Sequence, residues 1–213
     1  VTHKPYRTLK TSTLERTRHG TDLIETTSTY TYDDFNNVLR MQDLGFAGLE
    51  DNRVTLTNYI HNLSDYIVNK PSYRITGKGT DVQYGDFGTW LTTEWFGYDG
   101  NSIWVQPARG NRSELFVWDG NTSSDSRRRI ATYTHDAFGN VLSAVDARNV
   151  TTSYQYDATK HLFQTSTALD PTGLNHITST AWNAACQSPD AVTDVNGNST
   201  LFTYDDFCRE IDR

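Results

Sequence analysis

Tyr133-Thr-His-Asp136-Ala-Phe-Gly139, Tyr154-Gln-Tyr-Asp157, Trp182-Asn183 and Phe202-Thr-Tyr-Asp205 are four versions of one signature, each preceded by a Thr-rich extended run. From Asp136 the steps are 21, 26 and 22 residues, the period of a stacked repeat. The signature also occurs earlier: Tyr30-Thr-Tyr-Asp-Asp-Phe-Asn-Asn-Val-Leu39 is close to Tyr133-Thr-His-Asp-Ala-Phe-Gly-Asn-Val-Leu142, 103 residues away. Asn36 stands where Gly139 does, and both residue types tolerate left-handed backbone, so one turn serves both copies.

A second turn signal lies between the repeats, at Asp146-Ala-Arg-Asn149, Asp170-Pro-Thr-Gly173 and Asp194-Val-Asn-Gly197. Turns then recur every 10 to 13 residues, which leaves room only for strands. Asp at the first turn position accepts hydrogen bonds from the backbone ahead, Pro171 presets φ, and Gly or Asn takes φ > 0 at the fourth position. Asp33, Asp136, Asp157, Asp170, Asp194 and Asp205, with Gly139, Gly173 and Gly197, are therefore read as turn residues. The runs between them alternate and are rich in aromatic and β-branched residues, so each repeat reads as a hairpin that needs its neighbours for stability. The fold class is all-β: antiparallel β-hairpin repeats stacked into a curved sheet.

One region spans 1–213, with regular repeats over 131–213 and longer, irregular hairpins over about 43–130. There Tyr98-Asp-Gly-Asn101 and Trp118-Asp-Gly-Asn121 match each other and suit tight I′ hairpin turns. Gly110 to Arg129, rich in Gly, Asn, Ser and Arg, reads as a loop. Val54 to Val68 is the one helix candidate, although Tyr59, Ile60, Tyr66 and Ile67 suit strands as well.

Composition narrows the function. Apolar content is 36%, or about 37% with Tyr removed and Gly added, against roughly 45–50% in globular domains, which implies sheets wetted on at least one face. A net charge of −7 argues against a nucleic-acid partner. No run approaches the roughly 18 apolar residues of a membrane helix, and no signal peptide opens the chain, whose ends are expected to be cut from something longer.

The residues that carry chemistry have structural readings beside them. Tyr-Asp pairs suit sugar platforms, but their presence in every unit points to ladders and turns. Asp33 with Asp34, and Asp205 with Asp206, are adjacent and so face opposite ways on a strand, which is no acid/base pair. The six His residues lack metal-ligand spacing, and Asp194-Val-Asn-Gly-Asn198 lacks the closing Glu of a calcium loop; no cofactor is expected. No Gly-x-Ser-x-Gly, Walker or dinucleotide loop is present. Arg127-Arg-Arg129 reads as a solvated loop. Glycosylation sequons fall at Asn62, Asn111, Asn121, Asn149 and Asn198.

Cys186 and Cys208 occupy equivalent positions of neighbouring units, four residues after Trp182 and Tyr204. Ideal strands would hold them roughly 9–10 Å apart, beyond the ~7 Å limit for a disulfide. If the corners pinch, the pair staples the sheet in an oxidising compartment; if not, both stay free.

The units resemble RHS or YD repeats, best from Thr132 to Arg213, where Asp146-Ala-Arg-Asn-Val-Thr-Thr, Asp170-Pro-Thr-Gly-Leu and Asp194-Val-Asn-Gly-Asn-Ser-Thr alternate with the Tyr-Asp corners. The long-spaced middle, with Asp65-Tyr-Ile-Val-Asn-Lys-Pro71, looks most like the B component of bacterial ABC-type toxin complexes. Asn149, Lys160 and Cys208 depart from the usual Gly, which leaves the turn type at those corners open. The resemblance implies a segment of a hollow β-shell enclosing a polypeptide, often a toxin, in a secreted or extracellular protein without enzymatic activity of its own. Its partners would be the rest of a larger shell, or copies of itself meeting at strand edges, and the enclosed cargo. The alternative is an extracellular binding or adhesion protein that assembles through strand edges; it predicts that Trp90, Trp95, Trp104 and Trp118 cluster on an exposed surface.

Overall fold

The computed structural model describes residues 8–45 and 51–212 and contains sixteen strands and no helix among them. Two compact units, Val1–Arg129 and Ile130–Arg213, divide the chain. The first holds β1 (Ser12–His19), β2 (Asp22–Tyr32), β3 (Val38–Leu44), β4 (Arg53–Asn62), β5 (Ile67–Lys78), β6 (Trp90–Tyr98) and β7 (Arg112–Trp118). Each strand pairs antiparallel with the one before it in the chain. The sequence 54–68 is thus β4, a turn and the start of β5. Strand β7 occupies the middle of 110–129, where a loop was expected. Ser113 to Val117 has the alternation and β-propensity of a strand, and pairing with β6 outweighs its polar flanks.

Register explains the core of this unit. Leu56, Ile75 and Thr93 lie directly opposite one another across β4, β5 and β6, and Asn58, Tyr73, Trp95 and Phe116 form the next row across to β7. Alternation sends all of these to one face. Val54, Ile75, Val82, Trp90 and Trp95 are buried there, with Phe87, Ile103, Phe116 and Trp118 packed around them. The connection 79–89 closes over the cluster: Val82 is fully buried, Trp90 Nε1 donates to Gln83 O at 3.0 Å, and Arg40 donates to Thr80 O at 2.6 Å. Gly77 permits this approach, since a Cβ there would lie 2.7 Å from Val82 Cγ1 and 2.8 Å from Thr89 O.

The second unit contains most of β8 (Arg127–His135), then β9 (Val141–Asp146), β10 (Thr151–Tyr156), β11 (Gln164–Leu169), β12 (His176–Asn183), β13 (Ser188–Thr193) and β14 (Ser199–Leu201), again paired in chain order. No described residue from 130 on is fully buried, so this sheet is wet on both faces. The chain breaks from the ladder at Phe202, and β15 (Thr203–Tyr204) and β16 (Glu210–Asp212) form a separate two-stranded sheet.

Candidate functional site

The candidate site is the set of corners that join the strands within each unit; in the second unit Asp136 and Asp157 lie at one strand end and Asp146, Asp170 and Asp194 at the other. Five corners share one geometry. At Asp136 the backbone N–H donates to Asn140 O at 3.0 Å, and Gly139 N–H donates back to Asp136 O at 3.3 Å. The carboxylate oxygen Oδ1 accepts Phe138 N–H at 2.8 Å and Asn140 N–H at 2.9 Å. The same four bonds form at Asp33, Asp146, Asp194 and Asp205. The fourth residue is left-handed in every case: Asn36 φ 71°, Gly139 φ 90°, Asn149 φ 63°, Gly197 φ 83° and Cys208 φ 58°. Asn149 and Cys208 therefore take the glycine geometry, because the carboxylate anchors the loop on both sides of them.

Four corners differ from the expected turn. At Asp157 the left-handed residue is His161 (φ 56°), one beyond Lys160, because the loop is longer; its carboxylate collects Lys160, Leu162 and Phe163 N–H. At the connection 170–175, Asp170 (φ 49°) and Asn175 (φ 48°) are left-handed and Gly173 is not. Gly173 instead makes room, since a Cβ there would run into the Asp170 carboxylate. Asp99-Gly100 has the two positive φ values of a I′ turn, but it opens the long connection 99–111 rather than a tight hairpin. Asp119 lacks a positive φ, so Asp119-Gly120 is not I′.

Asp99 organises its connection by accepting Ala108, Arg109, Gly110 and Asn111 N–H at 2.8 to 3.0 Å. Burial pushes its carboxyl up, but the four N–H groups hold the anion and leave the acid below its usual range. Asp33 and Asp136 show the same balance of burial against hydrogen bonds, with the net again downward. Backbone N–H groups of Phe163 and Lys160 bring Asp157 down to about 2. The Asn198 amide lowers Asp194, and the Arg209 guanidinium, 2.6 Å away, lowers Asp205.

Corners at one end of the strands in each unit are also tied to their neighbours. Forward ties run from Asn37 Nδ2 to Val68 O at 2.6 Å, from Asn62 Nδ2 to Pro107 O at 2.8 Å and from Asn140 Nδ2 to His161 O at 2.7 Å. Backward ties come from the aromatic of the signature: Tyr98 O–H to Pro71 O, Trp182 Nε1 to Gln164 O and Tyr204 O–H to Pro189 O, at 2.7 to 2.9 Å. In the two matched segments a histidine from the next corner lies against the corner phenylalanine, His61 on Phe35 and His161 on Phe138. His61 Nε2 also lies 3.2 Å from Asp33 Oδ2. The sequence reading did not foresee these ties. The shared Asn37 and Asn140 were the available signal for the forward ones.

Cys186 and Cys208 form a disulfide with Cα atoms 5.2 Å apart, not the 9–10 Å of ideal strands. The break at Phe202 is the reason. Phe202 N–H donates to Asp190 O at 2.9 Å and Tyr204 reaches Pro189 O, so the last hairpin leans onto the preceding corner. Beside the disulfide is a cleft of about 500 Å³ lined by Asp190, Asp205 and Asp206. Asp205 is committed to its corner and Asp190 accepts from Asn183 Nδ2. No three metal-ligating side chains converge among the described residues.

Of the sequons, Asn62 is buried with both its amide donors engaged, so a glycan on Nδ2 is incompatible with its folded position. Asn121, Asn149 and Asn198 are exposed and Asn111 is half-buried. Arg127 lies in β8 over the Trp95 ring at 5.0 Å, bonded to Asp125. Trp90 and Trp95 are core, Trp118 packs against them, and Trp104 alone of the four named tryptophans is largely exposed.

A meander whose corners are closed by Asp and tied forward and backward is a hairpin-repeat protein. Residues 135–174 match the family model for the RHS Repeat, so that stretch of the chain carries the repeat. No curated protein matches it in sequence. Among solved structures it is similar to chains of TcdB2-TccC3-TEV (11% identity, TM-score 0.62) and of TcdB2-TccC3 without its hypervariable C-terminal region (12%, 0.67). It is similar also to the Tc holotoxin pore of Photorhabdus luminescens carrying a substitution in TccC3 (11%, 0.65). Each match covers 94% of this chain but only 13 to 15% of the other, so the chain spans about a seventh of those proteins. At this identity the likeness establishes the fold.

Proposed function

We propose that this chain is a non-enzymatic section of an RHS-type β-shell, in a secreted or extracellular protein, and that the shell encloses a polypeptide cargo. The observation that carries this reading is the tying of successive corners at one end of the strands in each unit. The corner carboxylates are spent on closing their own turns, and corner amides, phenols and an indole on joining hairpin to hairpin, which is what a wall requires. The wet second unit also supports it, because residues such as Phe138, Leu162, Leu174 and Phe207 are 66 to 81% exposed, more than an isolated sheet favours. The disulfide suits an oxidising compartment. The packing of three tryptophans against the first unit's core weighs against the adhesion alternative.

Limited proteolysis of the native, full-length gene product tests the cargo. An enclosed polypeptide resists protease until the shell is opened by denaturant. Equal digestion of every segment before and after opening would sink the encapsulation reading.

A further inference from the structure

The disulfide of the second unit joins two corners that are each closed without it. Ala185 N–H and Cys186 N–H donate to Asn183 Oδ1 at 3.0 and 2.9 Å, and Asn183 Nδ2 donates to Asp190 Oδ1 at 3.0 Å. At the other corner Cys208 N–H donates to Asp205 O at 2.9 Å, and the Asp205 carboxylate accepts Phe207 N–H, Arg209 N–H and the Arg209 guanidinium. Phe202 N–H and Tyr204 O–H hold the later hairpin to Asp190 O and Pro189 O. Breaking the sulfur–sulfur bond therefore leaves both cysteines facing each other from turns that persist.

The bond is also within reach of a small molecule. Cys208 is exposed, Cys186 is half-buried, and both line the cleft of about 500 Å³. Asp190, Asp205 and Asp206 line it too, with no Lys or Arg among the lining residues. Arg209 offsets Asp205, its ion-pair partner, but Asp190 is bonded to the neutral Asn183 amide, and Asp206 makes no hydrogen bond or ion pair among the described residues. Two carboxylates thus stand uncompensated beside the sulfurs. A thiolate coming to the disulfide meets their repulsion, which grows with the negative charge on the rest of the reagent and is screened by salt.

We propose that Cys186–Cys208 is a site of reversible thiol–disulfide exchange in the folded protein, open to small thiols and selective for those without negative charge. A thiolate attacks the exposed Cys208 Sγ, forming a mixed disulfide as the bond to Cys186 breaks and Cys186 leaves as a thiolate. A second thiolate attacks the reagent's sulfur and releases the Cys208 thiolate, so two thiols are oxidised to their disulfide, both cysteines are reduced, and water supplies the protons. The site is independent of the shell reading, since it needs only these two corners. The native, full-length gene product, without denaturant, is treated with cysteamine, 2-mercaptoethanol or glutathione at matched thiolate concentration, and alkylation with peptide mass spectrometry reads both cysteines. Each rate is divided by that reagent's rate with 2-hydroxyethyl disulfide, which removes its intrinsic reactivity. Exchange proceeds in the order cysteamine, 2-mercaptoethanol, glutathione, with about a tenfold spread at low salt that shrinks at high salt. Asp206→Asn narrows the spread while leaving the corner's bonds in place, and oxidised glutathione restores the bond once the thiol is removed. The proposal is overturned if the disulfide stays closed until denaturant is added, if the three normalised rates are equal or reversed in order, if Asp206→Asn leaves the spread unchanged, or if the bond does not re-form.

Discussion

Replacing Asn62 tests whether the ties between corners hold the sheet together. Its side chain makes four bonds: Nδ2 donates to Pro107 O at 2.8 Å and to Asp65 Oδ2 at 2.7 Å, while Oδ1 accepts Ser64 O–H at 2.7 Å and Asp65 N–H at 3.1 Å. Asn62 is 7% exposed and Pro107 is fully buried, so Asn62→Ala orphans a buried carbonyl, a loss of about 1–3 kcal/mol. The bonds to Ser64 and Asp65 lie in an exposed turn and add less, for a total of about 2–4 kcal/mol. Asn62→Asp keeps the shape but turns oxygens on Asp65 and Pro107 O, so its anion is disfavoured. Its deficit relative to Asn62→Ala therefore grows from pH 4 to pH 7.5. Urea unfolding followed by tryptophan fluorescence reads this out, because four of the five tryptophans lie in the first unit. A loss under about 0.5 kcal/mol for Asn62→Ala, or pH-independent equality of the two variants, refutes the reasoning.

Three further outcomes follow from the same geometry. Cys186→Ser or Cys208→Ser releases a closure spanning 22 residues, worth about 3 kcal/mol in the chain-entropy account; hydrogen exchange should rise over 199–212 and stay unchanged in β4 to β6. Asp33, Asp99, Asp136, Asp146, Asp157, Asp194 and Asp205 titrate below their unfolded values, Asp157 at about 2, so their stabilisation is complete above about pH 4 and is lost as pH falls through the folded values. Urea midpoints should accordingly hold from pH 7 to 5 and drop toward pH 2, and Asp157→Asn should flatten part of that drop. Gly77→Ala forces the connection 79–89 off the core and loses about 1–3 kcal/mol, whereas Gly20→Ala, left-handed with open space around it, loses about 1 kcal/mol; unfolding curves distinguish them.

The regular corners were legible because they are local: an Asp and a left-handed residue three positions on specify the turn within a few residues. What failed was whatever depends on partners distant in sequence. Strand β7 was masked by Gly110, Asn111 and the Arg-rich run after it, and only pairing with β6 reveals it. The distance between Cys186 and Cys208 was misjudged because nothing local announces the break at Phe202. Gly173 was assigned a left-handed role that Asp170 and Asn175 perform, since a turn of this length has more than one solution.

The central claim, that these hairpins are part of a wall, is tested most directly by electron cryomicroscopy of the native, full-length gene product. The account predicts a hollow particle in which the hairpins of this chain run edge to edge within the wall and polypeptide density lies inside. A solid particle, or a filament built through the strand edges with no lumen, would contradict it.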